Sequence, residues 1–164
     1  MLQRFSAMVL LCVALLISSC TTPYQSYGFT GGFTETQLGP NMFSVHFNGN
    51  GFTSPQRASD FSLLRCAELT KEAGYQYFVI IEGENYKSYS QYTTPTRSST
   101  TGSANVYGNT VYGTAKTTTT GGQTYNIAKP GSSNSILCFE EKPEGVAFDA
   151  DFLIQSLKTK YAIE

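Results

Sequence analysis

The sequence predicts an α+β domain: a small, mainly antiparallel sheet packed by two helices, with a long Thr/Tyr/Gly-rich insertion of β-hairpin type. Three observations predict it. Apolar residues alternate or run on in three strand-like segments, two other segments have helical spacing and capping residues, and an acid-free tract separates two of the strands. The resulting order is strand, helix, strand, insertion, strand, helix, which is typical of a sheet covered by helices.

The first predicted strand begins after residue 41, where Phe43, Val45 and Phe47 alternate with more polar residues. His46 falls on the polar side of this strand. We therefore interpret it as a solvated strand histidine rather than a general base.

The clearest helix is predicted from Ser54 to Gly74. Ser54 is a good N-cap and Pro55 suits the first helical position, where its missing N–H costs nothing. Gly74 supplies a left-handed stop. Apolar residues fall on two sides of this helix, so we expect the sheet to cover one side and the C-terminal helix the other.

Two central strands are predicted at 75–86 and 134–143, where the chain is apolar and rich in β-branched and aromatic residues. We expect them to be antiparallel neighbours, with the insertion as a greatly lengthened hairpin connection. The C-terminal segment has apolar residues at helical spacing, acidic residues at its start and lysines near its end. That pattern predicts the second helix.

The first 19 residues are predicted to be a signal peptide. Arg4 is their only charge, an apolar run follows at 8–17, and small residues precede Cys20. The run has about ten residues, whereas a spanning helix needs roughly 20.

The tetrapeptide ending at Cys20, Ile-Ser-Ser-Cys, resembles the lipobox of bacterial lipoproteins. The resemblance implies cleavage after Ser19, a thioether-linked diacylglyceryl group on Cys20 and acylation of the new amino terminus. Thr21, rather than Asp, follows the cysteine, which by the family's sorting rule implies the outer membrane. The alternative is an ordinary secreted protein whose signal ends near a cysteine.

Removal of residues 1–19 leaves 145 residues, enough for one domain. Residues 20–34 are short of aliphatic side chains and are predicted to be a flexible tether, with the domain at 35–164 and the insertion at about 86–133. The mature chain has 10 basic and 12 acidic side chains, which argues against nucleic-acid binding. One histidine and no Cys/His cluster make a metal site unexpected, and no motif indicates a cofactor.

Two cysteines, Cys66 and Cys138, remain in the predicted domain. A disulfide between them would close a long loop and stabilise the fold by roughly 4 kcal/mol. The alternative is two buried thiols that behave as small apolar side chains.

The insertion is the unusual part of the chain. Between residues 85 and 139 it has four basic side chains and no acidic one, and Thr, Ser, Gly and Tyr supply 32 of the 55 residues. Such Thr- and Tyr-rich segments favour strands over disorder, and the Gly-Asn and Gly-Gly steps are hairpin signals. We predict an interaction arm that carries Tyr107, Tyr112, Lys116 and Tyr125. The alternative is a flexible loop without function.

No serine elbow, triad or phosphate-binding loop is present in the sequence, so we expect no enzymatic activity. Glu82 and Glu84, with Glu140 and Glu141 on the next strand, are the only carboxylates that suggest a glycosidase pair. Acidic residues at strand ends are ordinarily solvated.

Four blocks, GGFTETQL, FNGNGFTSPQRASDFSLLRCAELT, GYQYFVI and DADFLIQSLKTKYAI, carry a further resemblance. They resemble a family of small, largely uncharacterised lipoproteins of Gram-negative bacteria over most of the mature chain. The resemblance implies a lipoprotein without known catalytic residues. We therefore expect a membrane-anchored envelope protein with a structural or interaction role and an envelope protein or glycan as partner. The alternative is a glycan-binding or glycan-processing envelope protein.

Overall fold

The computed structural model describes residues 21–164. The predicted signal peptide and Cys20 lie outside the described residues. The elements are β1 Gly32–Gly39, β2 Met42–Asn48, α1 Pro55–Glu72, β3 Tyr77–Thr93, β4 Arg97–Tyr107, β5 Thr110–Thr120, β6 Thr124–Phe139, β7 Phe148–Asp149 and α2 Ala150–Tyr161. The predicted α+β class, a mainly antiparallel sheet with two helices, is confirmed. Neither of the two described helices is long and apolar enough to cross a membrane.

The chain divides into two compact units. The first, called the body, comprises the described residues up to Ser88 together with Ala128–Glu164. The second, called the ribbon, is Tyr89–Ile127. The ribbon lies within the predicted insertion.

The main sheet has the strand order β1-β2-β6-β3-β7. The two predicted central strands correspond to β3 and β6, and they are neighbours as expected. The backbone N–H of Gln76 donates to Phe139 O at 3.0 Å, and Ser88 Oγ reaches Lys129 O at 3.4 Å. Residue numbers thus rise along one strand as they fall along the other, which is antiparallel pairing.

Helix α1 begins and ends where its capping residues predict. Ser54 Oγ accepts a hydrogen bond from Arg57 N at 3.2 Å, Pro55 is the first helical residue, and Gly74 has a φ of +87° just beyond the end. The helix packs on β2 and on α2, so the expectation that two elements cover it is confirmed.

A buried acid joins the two helices. The Asp60 carboxylate accepts hydrogen bonds from Lys160 Nζ at 2.6 Å, Tyr161 OH at 2.7 Å and Gln56 Nε2 at 2.7 Å. Burial alone would raise the pKa of Asp60, but these three donors lower it below its ordinary value. The charged carboxylate is therefore part of the contact between α1 and α2.

The core of the body has two clusters. The larger one lies between the sheet and α1, and its buried members include Phe43, Val45, Phe78 and Ile136. The smaller one is aromatic and contains Phe47, Ala58 and Phe61, with Tyr24, Phe33 and Tyr161 packed against it. Phe61 makes edge contacts with Phe47, Tyr161 and Tyr24 at ring-centroid distances of 5.3, 4.9 and 5.4 Å. Such contacts add about 0.5–1.5 kcal/mol each beyond the burial of area.

The prediction of a flexible tether at 20–34 is wrong for the described residues 21–34. Thr22 is completely buried, and its Oγ1 donates to Thr30 O at 2.7 Å and accepts from Asn50 N at 2.8 Å. Strand β1, which the sequence did not predict, begins at Gly32 and pairs with β2. This segment has few aliphatic residues. The aromatic rings of Tyr24 and Phe33 supply its buried apolar surface instead.

Candidate functional site

Strands β4 and β5 form a two-stranded antiparallel sheet within the ribbon. Eleven residue pairs align from Arg97 opposite Thr120 to Tyr107 opposite Thr110, and Gly108 and Asn109 form the two-residue loop. Gly108 has a φ of +61°, the conformation that such tight hairpins require. The hairpin signal at the Gly-Asn step is confirmed.

The second hairpin signal, Gly121-Gly122, is wrong. Strand β5 pairs with β4, and the two glycines lie where the chain leaves β5 for β6. A Cβ on Gly121, whose φ is +91°, would stand 2.1 Å from Pro95 O. Close backbone approach, rather than a hairpin turn, thus explains a glycine at this position.

Hydroxyl pairs bridge the two strands of the hairpin. Ser98 and Thr119 are 3.0 Å apart at their hydroxyl oxygens, and Thr100 and Thr117 are 2.9 Å apart. Cross-strand pairs of this kind contribute roughly 0.2–1 kcal/mol each. They explain why Thr is so frequent in a segment that buries almost no apolar surface.

The hairpin has two chemically different faces, because residues directly opposite each other share a face and successive residues alternate. One face, called the tyrosine face, carries Tyr107, Tyr112, Lys116 and Arg97. The other, called the small-residue face, carries no charge and has Gly102, Ala104, Val106, Val111, Gly113 and Ala115 along much of its length.

Three of the four predicted arm residues therefore lie together. Tyr107 and Tyr112 keep 71% and 65% of their surface exposed, and Lys116 on the same face stands opposite Thr101. The fourth, Tyr125, lies in β6, outside the β4–β5 sheet, and its OH donates to Gln123 Oε1 at 2.7 Å.

Arg97 is the residue that the sequence reasoning missed. The Gly-Asn loop fixes the pairing, and the alternation then places Arg97 on the same face as Lys116. Within the described residues, neither of these cations has a carboxylate within ion-pair distance. Two basic groups and two tyrosines thus face solvent on one side of the hairpin.

The two units also differ in their charged side chains. The ribbon has two basic side chains and no acidic one, whereas the described body has eight basic and twelve acidic side chains. The charge of the tyrosine face is therefore complementary to acidic groups and to hydrogen-bond acceptors.

The carboxylates considered for glycoside hydrolysis, Glu82, Glu84, Glu140 and Glu141, are all exposed in the structure. A general acid of a glycosidase needs an enclosed, apolar setting that keeps its carboxyl group protonated. Among the described residues, no group of three or more His, Cys, Asp or Glu side chains could hold a metal ion.

Cys66 and Cys138 are free thiols, so of the two alternatives the structure contains the buried pair rather than the disulfide. The Thr70 hydroxyl donates to Cys66 O at 2.8 Å and lies 3.4 Å from Cys138 Sγ. Burial is the main cause of the raised pKa of Cys66, and the neighbouring Cys138 raises this pKa further. Burial also raises the pKa of Cys138. Neither thiol is therefore a ready nucleophile.

Comparison with protein-family models, with curated proteins and with solved structures found no match to this chain.

Proposed function

We propose that this protein is an outer-membrane lipoprotein, anchored through acyl chains on Cys20 and facing the periplasm, and that its ribbon captures an envelope partner. The anchor rests on the signal and lipobox patterns of the sequence. The capture role rests on one observation, the tyrosine face of the β4–β5 hairpin. No catalytic step is part of the proposal.

The tyrosine face has the composition of a contact surface. Tyr and Arg are enriched at interfaces, because they bring a large contact area together with hydrogen-bond donors. Tyr107, Tyr112 and Arg97 supply these groups, and Lys116 adds a second cation. A two-stranded hairpin is marginally stable by itself, so binding to a partner would also stabilise it.

The hairpin edges offer a second mode of contact. Among residues 21–164, strands β4 and β5 pair only with each other, so each has one edge with unpaired backbone groups. An extended segment of a partner could add to such an edge as a further strand.

Excision of the hairpin tests the capture role. Thr94 N donates to Gln123 O at 2.9 Å, so replacing residues 95–122 by Asn-Gly would join these two residues by a two-residue turn. We expect the body of this variant to fold normally, while crosslinking in intact cells no longer captures the partner seen with the parent protein. An unchanged crosslinking pattern would remove the ribbon from the proposal.

Paired substitutions then separate the faces. Tyr107→Ala with Tyr112→Ala should weaken capture about tenfold or more, because tyrosines at an interface centre often contribute over about 1 kcal/mol each. Val106→Thr with Val111→Thr on the small-residue face is the matched control and should leave capture unchanged. The opposite result would assign the contact to the small-residue face.

Proline substitution tests the edges. Tyr107 and Thr110 flank a two-residue loop, so they form a hydrogen-bonded pair, and Ala104, at an alternate position of β4, directs its N–H outwards. Ala104→Pro removes this edge donor without removing a backbone hydrogen bond or a hydroxyl pair of the hairpin. Loss of capture in this variant, with the tyrosine variants unaffected, would indicate strand addition at the edge.

A glycan is the second candidate partner, because tyrosine rings and cations also suit anionic sugars. Glu82→Gln with Glu84→Gln distinguishes glycan processing from simple binding. Loss of glycan turnover in a folded E82Q/E84Q protein would contradict the non-enzymatic proposal.

A further inference from the structure

Three highly exposed aromatic side chains lie on two short segments of the body, one before β1 and one before α1. Phe29 is fully exposed, at 108% of its reference area, and Phe52 and Tyr27 keep 73% and 60%. Single exposed apolar residues are ordinary on protein surfaces, but a group of large ones marks an interaction site.

Phe29 projects from a tight turn that leads into β1. Gly28 and Gly31 exchange backbone hydrogen bonds at 3.0 and 3.1 Å, which leaves Phe29 and Thr30 at the tip. Thr30 O accepts the Thr22 hydroxyl at 2.7 Å. The turn is therefore fixed to Thr22.

Phe52 is connected to the same threonine. The next residue is Thr53, and its Oγ1 accepts a hydrogen bond from Thr22 N at 3.1 Å. The backbone N–H of Asn50 donates to Thr22 Oγ1 at 2.8 Å, and Phe52 N donates to Asn50 Oδ1 at 3.0 Å. Hydrogen bonds to the buried Thr22 thus join the segments that carry Phe29 and Phe52, and together these segments form one rigid group.

Thr22 is only two residues from Cys20. Two residues span at most about 7 Å when fully extended, so acyl chains on Cys20 would leave the protein within that distance of the rigid group. No length of chain remains to lift the body from the bilayer. Aromatic side chains at this place would enter the lipid interface, where their rings are favoured.

We propose that this end of the body docks on the membrane surface, with Phe29, Phe52 and Tyr27 in the lipid interface and Lys129 at a headgroup phosphate. The inference rests on the proposed lipidation of Cys20. It adds a fixed orientation: the protein lies directly against the bilayer through a protein–lipid contact, in place of the flexible tether that the sequence predicts.

Lys129 supplies the polar part of this contact. It lines a cavity of about 210 Å³ together with Tyr27, Phe29 and Ser88. The lysine is half-buried, and within the described residues no carboxylate lies within ion-pair distance of it. A cation near aromatic rings at a bilayer surface is attracted to anionic lipid headgroups.

The structure offers a matched control at the other end of the body. Phe152 is 71% exposed, and its neighbour Asp151 pairs with Lys71 in the last turn of α1 at 2.8 Å. Phe52 lies just before the first turn of α1, and a helix of this length spans about 27 Å. Phe152 is thus an exposed phenylalanine far from the proposed lipid contact.

Tryptophan fluorescence tests the orientation, because the sequence has no tryptophan. The F29W, F52W and F152W variants would be purified as processed full-length proteins. Mass spectrometry of the N-terminal peptide establishes acylation of Cys20 independently. The proteins are then reconstituted in vesicles of phosphatidylethanolamine and phosphatidylglycerol, with or without phosphatidylcholine brominated on its acyl chains.

Bromine quenches indole only at short range, so we expect F29W and F52W to lose emission in the brominated vesicles and F152W to keep it. The K129Q change in the F29W background should reduce the dependence of quenching on phosphatidylglycerol. Acylated protein with equal quenching at all three positions, or with none, would overturn the docking and leave the lipoprotein proposal intact. An N-terminal peptide without acyl groups would overturn both.

A sugar ligand for the cavity gives a different result. If N-acetylmuramic acid shifts the emission of F29W while brominated lipid leaves it unquenched, the cavity binds an acidic sugar and the membrane contact is wrong. If brominated lipid quenches F29W but not F152W and the sugar has no effect, the lipid contact is confirmed.

Discussion

Thr22→Val measures how firmly the N-terminal segment belongs to the body. Valine matches threonine in shape but removes the hydroxyl that donates to Thr30 O and accepts from Asn50 N. Asn50 N also lies 3.3 Å from Thr53 Oγ1, so it retains a partner, whereas Thr30 O loses this donor. One weakened bond and one carbonyl deprived of a buried donor together cost about 2 kcal/mol.

A loss of this size should lower Tm by roughly 4–8 °C for a domain of this length. Thermal unfolding followed by circular dichroism measures it. Thr36→Val in β1 is the control, since Thr36 is exposed and its substitution should change stability by less than about 0.5 kcal/mol. If T22V melts with the parent protein, the segment behaves as the tether that its composition predicts, and our account of the aromatic end fails with it.

Three further predictions concern the core, the acid response and the ribbon. Phe61→Ala should cost about 3–5 kcal/mol in chemical denaturation, because it empties the centre of the aromatic cluster, while Phe152→Ala should cost little. Because Asp60 has a lowered pKa when folded, its contribution is present above its ordinary value of 3.8 and is lost as pH falls below it. Asp60→Asn should therefore be less stable than the parent at neutral pH, with a gap that narrows below about pH 3.8; a constant gap would contradict the assignment. Gly121→Ala should raise amide hydrogen exchange in the ribbon and leave the body unchanged, because its Cβ would collide with Pro95 O; Gly113→Ala, where the nearest atom is 3.6 Å away, is the control.

The parts of the fold that could be predicted are those with local signals. Ser54, Pro55 and Gly74 mark the ends of α1 through their own backbone and side-chain chemistry. The Gly-Asn step likewise specifies the tip of the β4–β5 hairpin. None of these features needs knowledge of a distant residue.

The parts that were missed depend on contacts between distant residues. Strand β1 has largely exposed residues, and its membership of the sheet comes from pairing with β2. Tyr24 is ordered because it packs on Phe61 and donates to Glu68, 44 positions along the chain. A composition poor in aliphatic residues indicates a tether only when no such aromatic contact exists, and the sequence alone does not reveal one.

The same distinction explains why the two units differ in what stabilises them. The body buries apolar side chains in two clusters, and its stability is that of a packed core. The β4–β5 hairpin buries no side chain and depends on backbone pairing and hydroxyl bridges, which are individually weak. The register of the hairpin decides the composition of the tyrosine face, because a slip of one residue between the strands would put Arg97 and Tyr107 on one face and Tyr112 and Lys116 on the other. The Gly-Asn loop and the threonine pairs therefore serve to hold the tyrosine face together, and a partner that reads this face would supply the stability that the hairpin lacks.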